Sequence, residues 1–294
     1  MKNDIFNFRR FGKYFASDLR TCRANYGLSL LTISLVFPIA LYLIINVFHL
    51  IMESTWNGPD LGLRFFVFCV AMFCLIVTMP VKCYGKLTEK QYGSFWLTLP
   101  ASKLEKFISM FIITCIIAPF AGAALYIGAD ALICAFDHTC GKNLIAGSIE
   151  FVRKWSEMGE MTMNFVDETF TIEDATLTKE LLEQLSSPLL YIDEIFGITL
   201  PFLLGAIYFK SSKTVKTILV LFAISTVSSI VMAPIVDSWS SELLENMNND
   251  PTAILEMFNN GLFKNLVLMD TVTDTIVNVA LLTCIWFRIK TLKH

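Results

Sequence analysis

Charge is what this chain has least of. Only 17% of its 294 residues are Asp, Glu, Lys or Arg, where soluble domains carry about 25%, and 55% are hydrophobic. That balance excludes an ordinary water-soluble domain of this length. Histidine is also scarce. His49, His138 and His294 lie far apart and fit no metal-ligand or catalytic-triad spacing. The eight cysteines include no C-x-x-C pair, which removes support for a zinc or redox site. Cys134 and Cys140 are near enough in sequence to allow a disulfide. Gly12-Lys13, Gly85-Lys86 and Gly141-Lys142 lack the upstream glycine and the following Ser or Thr of a phosphate-binding loop, so no ATP site is encoded. No alternating strand pattern, repeat, low-complexity tract or inverted symmetry between the halves is evident, and the last absence disfavours many secondary-transporter folds. The residues therefore predict no enzyme, no metal and no cofactor bound by this chain.

What is present is long apolar runs. Six blocks stand out, Leu28–Ile51, Leu61–Val81, Phe107–Ala129, Leu189–Phe209, Val215–Val236 and Leu266–Phe287. Each is roughly 20 residues, enough for a helix to cross a ~30 Å hydrocarbon layer. Backbone groups in lipid must be satisfied within the segment, so helices are expected throughout. The predicted fold is an all-α integral membrane protein with six transmembrane helices. Arg64, near one end of the second block, is expected to snorkel to the headgroups.

Basic residues set the orientation. Seventeen of the 23 lysines and arginines fall in residues 1–27, the loop after the second block, the loop after the fourth with Lys216 at the edge of the fifth, and the C-terminal tail. The positive-inside rule places those segments and both termini on the cytoplasmic side, and the expected location is a bacterial inner membrane. No cleavable signal is expected, because the first apolar block begins only at Leu28 and is too long for one. Four parts follow. Residues 1–27 form an amphipathic entry helix with Ile5, Phe8, Phe11, Phe15, Leu19 and Cys22 on one stripe, its aromatic edge in lipid. Residues 28–136 hold spans one to three and enclose a loop at 82–106. Residues 137–188 form an extracytoplasmic segment with helical patterns around Ile145–Met161 and Thr178–Leu185. Residues 189–294 hold spans four to six and enclose an outer segment at 237–265, amphipathic and too short to cross.

The loop carries most of the functional signal. Thr88 and Gln91 have the spacing of a capping box that opens a short helix. Tyr92, Phe95, Trp96 and Leu99 fall at i, i+3, i+4 and i+7, predicting one aromatic face. Pro100 ends that helix by pushing Leu99 out of the helical region, and Ser102 with Glu105 is a second capping box starting the third span. The pattern predicts a short rod lying across the membrane surface and joined by a sharp corner to a crossing helix.

In this loop the sequence resembles the ABC-2 family of ATP-binding-cassette transporter permeases. That family has an acidic residue, Gly-Ser or Gly-Thr, an apolar run ending in Leu-Pro, a small residue, Ser, and Glu three later. Glu89, Gly93, Ser94, Leu99, Pro100, Ala101, Ser102 and Glu105 match it. The resemblance implies a permease subunit of an exporter, with Glu89, Tyr92, Gly93, Phe95, Trp96, Pro100, Ser102 and Glu105 forming a coupling helix for separate ATPase subunits that bind ATP-Mg. It also implies a second permease copy, identical or not, as a partner in the bilayer. No nucleic acid is expected. Asn46, Asp130, Asp270 and Asp274 are pathway candidates, since intramembrane polar groups are functional candidates by default. Asn46 lies below a kink expected at Pro38. Two alternatives stand beside this: an ion-coupled transporter using Asp270 and Asp274, and a non-transporting assembly or sensory subunit.

Overall fold

The computed structural model describes residues 6–52, 59–137, 140–150, 153, 188–249 and 262–291. The patterns expected at Thr178–Leu185 and in most of Ile145–Met161 lie outside these, as do the residues between 250 and 261. Among the described residues the chain is helical and no strand occurs. Five helices are long and apolar enough to cross a membrane: Phe8–Met52, Leu61–Thr88, Lys103–Phe136, Lys213–Pro234 and Leu268–Thr291. This is a multi-pass membrane protein. A further helix, Pro188–Tyr208, occupies the fourth apolar block.

Helix α1, Phe8–Met52, is 45 residues without a break, about 68 Å at 1.5 Å per residue. The entry segment and the first apolar block therefore share one helix. Its buried row is Tyr14, Cys22, Tyr26, Ser34 and Pro38, with half-buried Asp18 and Leu30 in phase. This four-residue ladder lies beside the aromatic stripe read from the sequence. The stripe is mixed in burial: Phe8 is exposed, Phe11, Phe15 and Leu19 are half-buried, and Cys22 belongs to the buried row; Phe11 stacks on Phe15 at 5.6 Å and lies tilted to Phe6 at 5.4 Å.

Helix α2, Leu61–Tyr84, opens at Asp60, whose carboxylate accepts from Gly62 N at 3.1 Å, supplying one of the donors a helix start leaves unpaired. A 3-10 turn, Gly85–Thr88, follows, then α3, Lys90–Thr98. Helix α4, Lys103–Phe111, runs into a π-helical stretch, Ile112–Ile117, and then α5, Ala118–Phe136. Pro119 sits at the start of α5. It has no N–H to continue the ladder, a local reason for the wide turn before it. The remaining helices are α6, Pro188–Tyr208, α7, Lys213–Asn249, and α8, Leu262–Thr291. The first part of the 237–265 segment is thus a continuation of α7.

The chain divides into two compact units. The first comprises residues 1–153, 198–214 and 281–294, and α1, α2 and α5 pack together in it. Close approach is needed at Gly122, where a Cβ would come within 2.6 Å of Leu75 Cδ1. Leu200, Leu203 and Ile207 of α6 and Ile285 and Ile289 of α8 are fully buried. The second unit comprises residues 154–197 and 215–280. Its α7 leaves Phe222, Ile224, Val227 and Ile230 exposed, a surface that suits a hydrocarbon solvent.

Candidate functional site

The loop between α2 and α4 is held by contacts that start from its capping residues. Ser102 and Glu105 form the expected reciprocal box: Ser102 Oγ accepts from Glu105 N at 3.2 Å, and Glu105 Oε2 accepts from Ser102 N at 2.9 Å. Glu105 does more than cap. Arg10 donates from Nε at 2.9 Å and from Nη2 at 2.8 Å to its two oxygens, and Asn7 N donates at 2.9 Å. The carboxylate is fully buried, and these charge-assisted bonds are what make its burial tolerable. The start of α4 is thereby tied to the start of α1, residues 95 apart. In the sequence Arg10 lies off the hydrophobic stripe of residues 1–27; a partner so distant has no local signal.

The next residue completes the joint. Lys106 is buried. Its Nζ donates to the carbonyls of Trp96 at 2.7 Å and Leu97 at 3.3 Å and lies 4.8 Å from the Trp96 ring centre. Those carbonyls belong to the last turn of α3, where intrahelical donors run out and a positive charge is favoured. Trp96 in turn donates from Nε1 to Tyr14 Oη of α1 at 3.1 Å. Asp18 of α1 accepts from Ser109 Oγ of α4 at 2.6 Å and Tyr84 Oη of α2 at 3.1 Å. Helix α3 is therefore clasped by α1 and α4, and α1 is tied to α2.

Two local expectations are corrected. Thr88 and Gln91 do not form a capping box. Thr88 Oγ1 donates back to Gly85 O at 3.1 Å inside the 3-10 turn, and α3 instead starts at Glu89, whose side chain makes no capping bond. Nor do the aromatics share one face. Gly93 and Trp96 are buried, Tyr92 and Leu99 half-buried, and Phe95 is 62% exposed. Phe95 and Trp96 are neighbours in sequence, so about 100° separates them around the helix; one enters the core and the other leaves it. Burial, with the Asp18 carboxylate near it, raises the Tyr92 phenol above its ordinary value and keeps it a neutral hydroxyl. Glu89, Phe95 and Pro100 form the exposed part of the predicted coupling set.

The last helices close on the same end. Lys213 Nζ donates to Gly85 O and to Thr88 Oγ1, the latter at 2.7 Å. Lys103 Nζ donates to Lys290 O at 2.7 Å, Phe107 meets Trp286 edge to face at 5.6 Å, and Arg288 Nε donates to Ile207 O at 3.3 Å. Segments that the basic-residue pattern assigned to one side of the membrane do meet in space.

At the far end of α2 and α5 the arrangement differs from the sequence reading. Arg64 does not snorkel. It is buried and pairs with Asp130 at 3.2 Å, with Nη2 donating to Lys142 O at 2.6 Å. Asp130 Oδ2 also accepts from Leu144 N at 2.8 Å. Asp130 is therefore one half of a buried ion pair. The rise from Glu105 to Asp130 is about 37 Å at 1.5 Å per residue, close to the hydrocarbon thickness plus its margins. Cys134 and Cys140 are free thiols. Asn46 is half-buried beside Tyr42, whose hydroxyl donates to Asp137 at 2.7 Å.

In the second unit Asp270 and Asp274 are exposed. A polar pairing there has no local signal in sequence: the buried Asn278 donates from Nδ2 to half-buried Asp193 Oδ1 at 2.6 Å, and the exposed Thr275 donates from Oγ1 to Asp193 Oδ2 at 3.1 Å. Asp193 was legible as a carboxylate inside the fourth apolar block. No group of three or more His, Cys, Asp or Glu able to hold a metal occurs among the described residues. Compared with known protein families, with curated proteins and with solved structures, the chain shows no match.

Proposed function

We propose that this chain is the permease subunit of an ABC exporter, crossing a bacterial inner membrane six times with both termini in the cytoplasm. It pairs with a second permease copy and with separate ATPase subunits that supply ATP-Mg and hydrolysis. The observation that carries the reading is the clasp on α3. A short helix with exposed Glu89 and Phe95 is locked through Trp96, Lys106 and Glu105 to two long apolar helices. A force applied to α3 by an ATPase is thus delivered to α1 and α4 instead of being absorbed by a loop. ATP-driven closure of the ATPases would tilt those helices and switch the pathway between its two sides.

The test uses the exposed residues, whose replacement leaves the clasp intact. Glu89→Ala with Phe95→Ala is expected to abolish co-purification with the ATPase encoded beside this chain and to stop export, with the thermal stability of the permease unchanged. Retained association and export would refute the coupling role. Labelling of a cysteine placed at residue 86 from the cytoplasmic side, but not from outside, checks the orientation. The Asp193–Asn278–Thr275 pairing favours one rival, ion-coupled transport. Transport that follows a proton or sodium gradient and needs no nucleotide would establish that rival.

A further inference from the structure

A cavity of about 370 Å³ opens where α1, α2, the 3-10 turn and the start of α7 converge. Its polar lining is Lys82, Lys86, Lys213, Asn25 and Glu89. Three lysines and one glutamate line it, a formal charge of +2 in a concave site. Each lysine comes from a different structural setting. Lys82 is in the last turn of α2 and donates to Ser29 Oγ. Lys86 projects from the 3-10 turn and is exposed. Lys213, half-buried at the first residue of α7, is braced against Gly85 O and Thr88 Oγ1. The brace fixes the position of one charge while the exposed pair can adjust. A compact anion with several acceptor oxygens suits that arrangement, because each ammonium supplies three donors and no acceptor.

The height of the site along the helices narrows the ligand. Lys82 closes an apolar crossing helix, and α1 continues from Ser29 toward the exposed Val36, so the cavity sits at the level where lipid headgroups meet hydrocarbon. Basic pockets between crossing helices at that level recognise phosphorylated headgroups. We propose that this cavity binds a phosphate group, supplied either by an anionic phospholipid or by a soluble phosphate compound. Because Glu89 forms part of the wall, an occupied site places negative charge beside the residue that starts α3. The binding itself does not depend on the exporter reading, and its failure would leave that reading standing.

The test uses the full chain in dodecyl maltoside micelles. Thermal stability is titrated with dioleoyl phosphatidylglycerol, dioleoyl phosphatidylcholine and inorganic phosphate. Phosphatidylglycerol is expected to raise Tm saturably where phosphatidylcholine, with identical chains, does not. A full shift with inorganic phosphate, with no further gain from lipid, assigns the site to soluble phosphate compounds. Lys82→Gln and Lys86→Gln are each expected to weaken binding about 5-fold, and Glu89→Gln to tighten it by a similar factor. The gain in Glu89→Gln keeps the test decisive if a lysine variant fails to fold. Arg9→Gln, an exposed basic change outside the cavity, should leave affinity unchanged. Equal binding of both lipids with no phosphate response, or equal losses from Arg9→Gln and Lys86→Gln, would overturn the proposal.

Discussion

Lys106→Met is the perturbation that isolates the clasp on α3. Methionine keeps the length and most of the volume of the stem and removes the ammonium. Two bonds from a charged donor to the Trp96 and Leu97 carbonyls are lost, each worth about 1.5–3 kcal/mol, together with a cation–π contact of about 1 kcal/mol. Relief from desolvating a buried ammonium offsets part of this, since Lys106 is only 3% exposed. The net expectation is about 2 kcal/mol against the docked state of α3, or about 30-fold in the opening equilibrium. Hydrogen exchange of amides in the second half of α3 should therefore accelerate about 30-fold. Amides of α5 should be unaffected, because global stability is carried elsewhere. An α3 exchange rate within about 3-fold of the parent would refute the clasp as a mechanical joint.

Arg64→Met strands the Asp130 carboxylate and is expected to cost about 3–5 kcal/mol; the double variant Arg64→Met with Asp130→Leu should recover most of it, and a double no more stable than the single in thermal melts would refute the pairing. Gly122→Val places branched carbon against Leu75 and should cost about 1–3 kcal/mol by overpacking, read as a lower Tm in detergent; an unchanged Tm would mean that α2 and α5 are not in close contact. Trp96→Phe removes the donor to Tyr14 Oη and part of a buried ring, for an expected loss of at least about 1 kcal/mol, measured by the same exchange experiment on α3; no acceleration there would remove the α1 contact from the clasp.

How much of this was legible in sequence divides along the range of the interaction. Five of the six apolar runs lie in helices long and apolar enough to cross a membrane, because a helix in lipid is decided by its own residues. The Ser102–Glu105 box and the Pro100 corner were readable for the same reason, with donors and acceptors three residues apart. Arg10 with Glu105 and Arg64 with Asp130 were not, since the partners are 95 and 66 residues distant and either basic residue could equally have faced water. The ladder Tyr14–Asp18–Cys22–Tyr26 was hidden by a stronger hydrophobic stripe that meets it at Cys22. In a membrane helix the most apolar face can turn to lipid, so hydrophobicity alone misassigns the core. Thr88 had two local partners within reach and chose the Gly85 carbonyl over a cap, a contest that spacing does not decide. Asp193 is visible as a carboxylate in an apolar block, but its meaning depends on Asn278 and Thr275, 85 and 82 residues away.

The wide turn at Ile112–Ile117 sets the phase between the two ends of the third crossing helix. It takes up one residue more than an α-helical path would. Without it, everything beyond would rotate by about 100° and shift by about 1.5 Å along the axis. Glu105 would still find Arg10, but Asp130 would swing away from Arg64. Deleting one residue from this stretch should therefore leave the α3 clasp intact and unmake the far ion pair, so that Arg64→Met no longer adds a penalty. The six-residue bulge works as a differential, allowing one rod to be keyed correctly at both of its ends.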